Sequence, residues 1–167
     1  HKIWQDDVLT VASKTGVLVR DEQGRFCMLR RGHQPGKGKW AFPGGFVNEW
    51  EDPLEAALRE TREEVGIAED QVSIIGYLET MPTVTGYAVT PVVGLVEGRV
   101  ELEIDRTEVE YTFEVPLPFL LDPANHRLVQ REWQGLSFSM VEFHYDGQRI
   151  WGATAQMLMR FINIIKK

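Results

Sequence analysis

The chain reads as an α/β (α+β) domain, and three patterns predict it. Residues 53–65 and 153–167 repeat apolar side chains at helical spacing. Stretches 15–30 and 136–151 read as strand–turn–strand units. Between them lie further runs, 72–80, 87–96 and 109–115, with the short length and β-branched content of strands. At 167 residues the expectation is one domain, 1–167, large enough for a sizeable core.

Residues 1–14 are mixed, with an apolar pair at Val8 and Leu9, and suggest a peripheral strand or arm. Strands are expected at 15–20 and 25–30, joined through Asp21-Glu22-Gln23-Gly24 as a hairpin. Cys27 falls in the second strand and reads as a small buried hydrophobe. Residues 31–39 form a loop on their glycines and proline; His33 within it is a surface histidine. Trp40-Ala41-Phe42-Pro43 leads into Gly44 and Gly45, and Phe46-Val47 continues as a short strand.

The helix at 53–65 carries its own punctuation. Asp52 is an N-cap, Pro53 takes the first helical position, and Glu55 stands at capping-box spacing from Asp52. Gly66 ends the helix as a left-handed cap. Leu54, Ala57, Leu58, Thr61 and Val65 make the buried stripe.

Beyond it, the strand at 72–80 alternates through Val72, Ile74 and Tyr77, and 81–86 is a loop. The most apolar strand, 87–96, reads as central, and Pro91 inside it requires a bulge or an unpaired position. Glu97-Gly98-Arg99 turns the chain, and the 109–115 strand is closed by Pro116 and Pro118. A short helical piece follows at 118–121, while 124–135 shows no clear pattern. The 136–145 strand turns at Asp146-Gly147 and returns over 148–151. The closing helix packs Ala155, Leu158, Met159, Ile162 and Ile165.

Chemistry concentrates on the capped helix. Glu60, Glu63 and Glu64 sit at i, i+3 and i+4, three carboxylates within one turn that repel one another near the negative end of the helix dipole. A hard divalent cation, Mg²⁺ or Mn²⁺, would relieve that repulsion; a solvated acidic face is the plainer account. Arg30, Arg31, Lys37 and Lys39 place four positive charges just before the helix, either as solubility charge or as a phosphate-facing rim that binds substrate.

A net charge of −7 argues against a general nucleic-acid binder, which needs a basic face. With one cysteine no intrachain disulfide forms, which fits a reducing, cytoplasmic compartment. No apolar run approaches the roughly 20 residues of a membrane span.

Gly45, Glu51, Arg59, Glu60, Glu63, Glu64, Gly66 and Ile67 fit the Nudix box, G-x5-E-x7-R-E-U-x-E-E-x-G-U with U aliphatic, and Thr61 is the one departure. The sequence thus resembles a Nudix hydrolase. That resemblance implies an α/β/α sandwich on a mixed sheet and metal-dependent hydrolysis of a diphosphate. It makes Glu60 and Glu64 Mg²⁺ ligands, and Glu63 a ligand or the group that activates water. Gly44 or Gly45 offers a backbone carbonyl to the metal, and Arg59 orients Glu60 or Glu63. Glu51 packs near the helix start. A base from a later loop is expected among Glu101, Glu103, Glu108 and Glu110, with no choice between them.

Thr85-Gly86-Tyr87, Thr90-Pro91-Val92-Val93, Val115-Pro116-Leu117 and Ile150-Trp151-Gly152-Ala153-Thr154 resemble the coenzyme A diphosphatase branch. The threonine-arginine-serine stretch of that branch is absent around 28–32. Residues 35–47 instead resemble ADP-ribose and nucleotide-sugar pyrophosphatases. The expectation is a small-molecule nucleotide substrate, with coenzyme A or a derivative first and ADP-ribose or a nucleotide sugar second, in an enzyme open to forming a homodimer. Three other classes are weighed: a non-catalytic nucleotide-binding module, a transcription regulator of the same family that would need a second, DNA-binding domain, and an isomerase of the same fold that would need Cys27 as a catalytic thiol.

Overall fold

The computed structural model describes residues 2–5, 8–11, 13–20, 24–32, 37, 40–83, 86–96 and 100–167, with the backbone alone for 2–20 and Trp40. In chain order the strands are β1 (Lys2–Gln5), β2 (Val8–Val11), β3 (Ser13–Arg20), β4 (Arg25–Arg31), β5 (Trp40–Ala41) and β6 (Gly44–Phe46). Helix α1 (Pro53–Val65) and a 3-10 turn at Glu69–Gln71 precede β7 (Val72–Tyr77), β8 (Met81–Pro82), β9 (Ala88–Val96) and β10 (Val109–Pro116). Then come α2 (Leu117–Leu121), a 3-10 turn at Pro123–Asn125, β11 (Arg127–Trp133), β12 (Leu136–Tyr145), β13 (Gln148–Ile150) and α3 (Gly152–Ile165).

The main sheet runs β10-β4-β3-β9-β7, with β5 against β4, β6 against β3 and β8 against β9. It is mixed: β3 and β9 are parallel over eight residue pairs, and the other pairings are antiparallel. Its two faces bury two cores. Alternate residues of β4 divide between them, as the strand period requires. Phe26 and Met28 join α3 through Phe161, Leu158 and Ile162. Cys27 and Leu29 join α1 through Ala57 and Val65. The sheet therefore lies between α1 on one side and α3 with the three-stranded sheet β11-β12-β13 on the other, the expected α/β/α sandwich.

Several local expectations change. β3 and β4 are antiparallel neighbours, but among the described residues they pair only at Arg20 and Phe26, because further along β6 takes the edge of β3 and β5 that of β4. Both strands carry unbroken apolar runs suited to a central place in a sheet, so a plain hairpin would leave them half used. Residues 81–82 pair with β9 in place of the expected loop. Tyr77 is exposed, because the strand alternates strictly from Val72 and position 77 falls on the outward face with Ser73 and Ile75. Ile165, at the last turn of α3, is also exposed. Residues 127–133, patternless in the sequence, are β11. Pro91 stands opposite the gap between β7 and β8, where Leu78 N–H bonds to its carbonyl at 2.7 Å and its missing donor is not needed. Residues 21–23 and 97–99, both expected as turns, lie outside the described residues.

Candidate active site

Helix α1 begins and ends where local chemistry dictates. Asp52 accepts from the N–H groups of Leu54 and Glu55 at 2.8 and 2.9 Å, and Glu55 accepts from Asp52 N–H at 3.0 Å, closing the capping box. At the other end Gly66 adopts φ +75°. A Cβ there would come within 2.7 Å of Glu103 Cβ, so the segment after β9 packs directly on the cap. That segment also satisfies the helix's open carbonyls: Asp105 N–H donates to Glu64 O and Glu103 N–H to Val65 O, both at 3.0 Å.

Arg59 is the hub of the helix face. Nε and Nη2 donate to the two carboxylate oxygens of Glu51 at 3.1 and 2.6 Å. Nη1 donates to Glu60 at 2.9 Å and to Glu63 at 3.2 Å, and Nη2 also donates to Phe46 O at 2.9 Å. These contacts use all five guanidinium N–H groups. Arg59 thus ties the loop between β6 and α1 to two of the three clustered carboxylates and has no donor left for a substrate. Its side chain holds Glu51 below the usual carboxylate range.

The three glutamates occupy different environments. Glu63 is 51% exposed. Glu60 is mostly buried and lies over Gly45, where a Cβ would stand 2.4 Å from Oε1 of Glu60, so only glycine leaves room for this carboxylate. Burial raises the Glu60 pKa, opposed by Arg59. Glu64 is 7% exposed, and its Oε2 accepts from Gly44 N–H at 2.9 Å. Burial first, then the repulsion of Glu60 and Glu108, pushes the Glu64 carboxyl up to about 8, against the help of Gly44 N–H and Arg31. The expected apolar stripe misses two members of the buried set, Ala56 and Glu64, which are buried with Ala57, Thr61 and Val65, while Leu54 and Leu58 are only half-buried.

Among the later acids the fold discriminates. Glu108 exerts its charge on both Glu60 and Glu64. A tight turn places it: Asp105 accepts from Thr107 N–H at 2.9 Å, Glu108 N–H donates to Asp105 O, and Gly32 N–H donates to Glu108 O at 2.8 Å. Glu110 instead lies 3.3 Å from Arg30 Nε, and Glu103 packs at Gly66. Glu101 is exposed.

The run of bases divides in the same way. Arg31 continues the β4 face that meets α1, and its charge reaches Glu64. Arg30 continues the opposite face and donates to Tyr111 Oη at 2.8 Å. Lys37 is exposed. Lys39 and His33 lie outside the described residues. Cys27 is buried, and its thiol is pushed up to about 12 by that burial, so it is no nucleophile.

Glu60 and Glu64 bring hard oxygen donors and mutual repulsion into a partly dry place, which fits a hard divalent cation. Among the described residues no three ligating side chains converge on one point. Two carboxylates completed by water and substrate phosphate is the usual manner of Mg²⁺.

A family model for the NUDIX domain matches residues 11–144. A relative from Enterobacter sp. (strain 638), the uncharacterized Nudix hydrolase NudL, is 35% identical over 144 residues, spanning 84% of this chain and 75% of its own. The solved MutT protein from Methanosarcina mazei Go1 superposes with a TM-score of 0.62 at 24% identity, covering 94% of this chain and 96% of that one. The NUDIX domain of Shewanella oneidensis NrtR, solved with ADP ribose, superposes at 0.51 with 18% identity over 67% and 77% of the two chains. Both solved structures share the fold.

Proposed function

The chain belongs to the Nudix hydrolase family, pyrophosphohydrolases that act on diphosphate bonds, and on that premise we propose that it cleaves the diphosphate joining a nucleoside to another group, with coenzyme A or a derivative as lead substrate. The observation that carries the reading is the pair Glu60 and Glu64, desolvated side by side against Gly44 and Gly45 and repelled further by Glu108. Such a concentration of negative charge invites a divalent cation and, through it, a diphosphate.

In this reading Glu60 and Glu64 hold Mg²⁺ or Mn²⁺, with Glu63 and a Gly44 or Gly45 carbonyl as further donors. A divalent ion held there would supply charge to neutralise phosphate oxygens and to acidify a water. Glu108, exposed and near enough for its charge to act on both Glu60 and Glu64, is the base that would accept the proton of the attacking water. Arg59 holds Glu60 and Glu63 in place and fixes the loop through Glu51. Arg31, at the end of β4 and with its charge reaching Glu64, is the base that faces the phosphates; Lys37 and Lys39 extend that rim, and Arg30 supports β4 through Tyr111. With Glu60, Glu63 and Glu64 all present, a module that binds without cleaving is disfavoured.

Coenzyme A leads because 115–117 and 150–154 resemble that branch. ADP-ribose or a nucleotide sugar is second, favoured by the resemblance of 35–47 and by the ADP ribose held by a fold neighbour. One assay with Mg²⁺ and product identification decides. The panel is coenzyme A, its 3′-dephospho form, ADP-ribose, a nucleotide sugar, a dinucleoside polyphosphate and a nucleoside triphosphate. Release of 3′-phospho-AMP and a phosphopantetheine is the expected outcome. Faster turnover of ADP-ribose than of either coenzyme form replaces the lead with the second reading, and no turnover of any member overturns the hydrolase site.

A further inference from the structure

The three-stranded sheet carries a charge cluster that diphosphate cleavage does not use. Glu142 on β12 is 5% exposed. Its Oε1 accepts from Nη2 of Arg131 on β11 at 2.6 Å and from Nη2 of Arg149 on β13. Its Oε2 accepts from Arg149 Nε at 3.0 Å and lies 3.2 Å from His144 Nε2. Register brings them together: Arg127 pairs with Glu142, Arg131 with Phe138, and His144 with Arg149, so all five polar groups share one face. The other face, through Phe143 and Ile150, belongs to the core.

Cross-strand stability accounts for only part of this. One carboxylate balances one guanidinium, yet two converge on the same oxygen, so their nearest nitrogens stand within about 5 Å of each other. That spacing leaves a net positive charge which a second anion would relieve. Arg149 still has Nη1, and Arg131 still has Nε and Nη1, with no partner among the described residues. Both side chains are about two-fifths exposed, at 42% and 40%, so these donors are open to a ligand. The Arg149 fork is also held from behind by Trp151, 4.8 Å from its ring centroid. Two pre-oriented guanidiniums with free donors match the oxygens of a phosphate in spacing and charge.

We propose that Arg131 and Arg149, oriented by Glu142, bind a phosphomonoester. Two sources share that chemistry: a terminal phosphate on the substrate itself, or a separate phosphorylated small molecule.

The test is direct binding to the whole chain, read by calorimetry and by the His144 ring signals in NMR. The probes are inorganic phosphate, adenosine 3′,5′-bisphosphate and 5′-AMP. The bisphosphate shifts the His144 signals, and Arg131→Gln, Arg149→Gln and the charge-conserving Arg149→Lys each weaken it about tenfold, because Lys lacks the fork. A purely structural ion-pair cluster would leave His144 unmoved by millimolar phosphate or bisphosphate, and that result overturns the proposal. Kinetics separates the sources. If Arg149→Lys raises KM about tenfold for coenzyme A and leaves the dephosphorylated coenzyme unaffected, the site belongs to the substrate. Phosphate binding lost in the variant without any such difference assigns it to a separate small molecule. The binding arm stands or falls whether or not coenzyme A is turned over, so its failure is distinct from failure of the substrate reading.

Discussion

The Cα of Gly45 and the carboxylate of Glu60 are so close that a single methyl group cannot be placed between them, the Cβ position lying 2.4 Å from Glu60 Oε1. The obstacle is the tip of a side chain and not backbone, so Gly45→Ala is expected to fold, with a melting temperature within a few degrees of wild type. Glu60 must move, and it is tethered by Arg59. If Glu60 holds the cation as proposed, displacing its carboxylate by about 1 Å is expected to lower kcat about 10- to 100-fold. Wild-type kcat in a folded Gly45→Ala variant would show that Glu60 is not at the reacting centre.

Glu64 gives a pH signature. Its folded-state carboxyl titrates near 8, well above the ordinary 4.5, because of burial. Between these values the folded metal-free protein binds a proton more tightly than the unfolded chain, so stability falls as pH rises from about 4.5 to about 8. Glu64→Gln should flatten that slope and be more stable than wild type at about pH 8 without metal, while losing about 10²-fold in kcat. Urea melts at several pH values and one steady-state assay check both halves. Glu63→Gln, at the exposed corner of the cluster, is also expected to lose about 10²-fold, without the stability gain.

Mg²⁺ or Mn²⁺ should raise the melting temperature by mass action. Because Glu64 must release its proton to bind a cation, the concentration giving half the effect should fall as pH rises through about 8. Glu60→Gln should lose most of the shift. A pH-independent midpoint, or a full shift in the variant, places the cation elsewhere.

Glu142 works in the opposite sense. The Arg149 guanidinium, with His144 and Arg131, holds its carboxyl down at about 2. A depressed acid stabilises the fold above the unfolded value of 4.5, and that stability is lost as pH falls from about 4.5 toward 2. Glu142→Gln should be less stable than wild type near neutral pH and nearly equal to it at about pH 2. Acid titration followed by circular dichroism tests this, and parallel curves for the two proteins would refute it.

The helix was legible to the residue because every signal that bounds it is local: Asp52, Pro53, Glu55 and Gly66 act within one turn. The box residues around it were equally plain. What the sequence hid depends on distant partners. Nothing in Arg127–Trp133 marks a strand, since that segment is ordered by pairing with β12. The parallel union of β3 with β9 joins segments far apart along the chain. The burial of Glu64 arises from Gly44, 20 residues upstream, and a helical wheel cannot show it. The division of Arg30 from Arg31 was within reach, since neighbours on a strand point to opposite faces. That Glu108 is the later acid whose charge acts on Glu60 and Glu64 follows from the turn at Asp105 and the strap it forms across the helix end, which no local pattern marks.

Glu64 is stitched at both ends: its carboxylate to the amide of Gly44, its carbonyl to the amide of Asp105. Strand β6, which precedes the helix, and the segment between β9 and β10, which crosses its end, therefore share one mechanical anchor. Solvent should reach the Gly44 and Asp105 amides in the same opening event, although 61 residues separate them along the chain. Their deuterium uptake should rise and fall together, and a ligand that grips either segment should slow exchange in both.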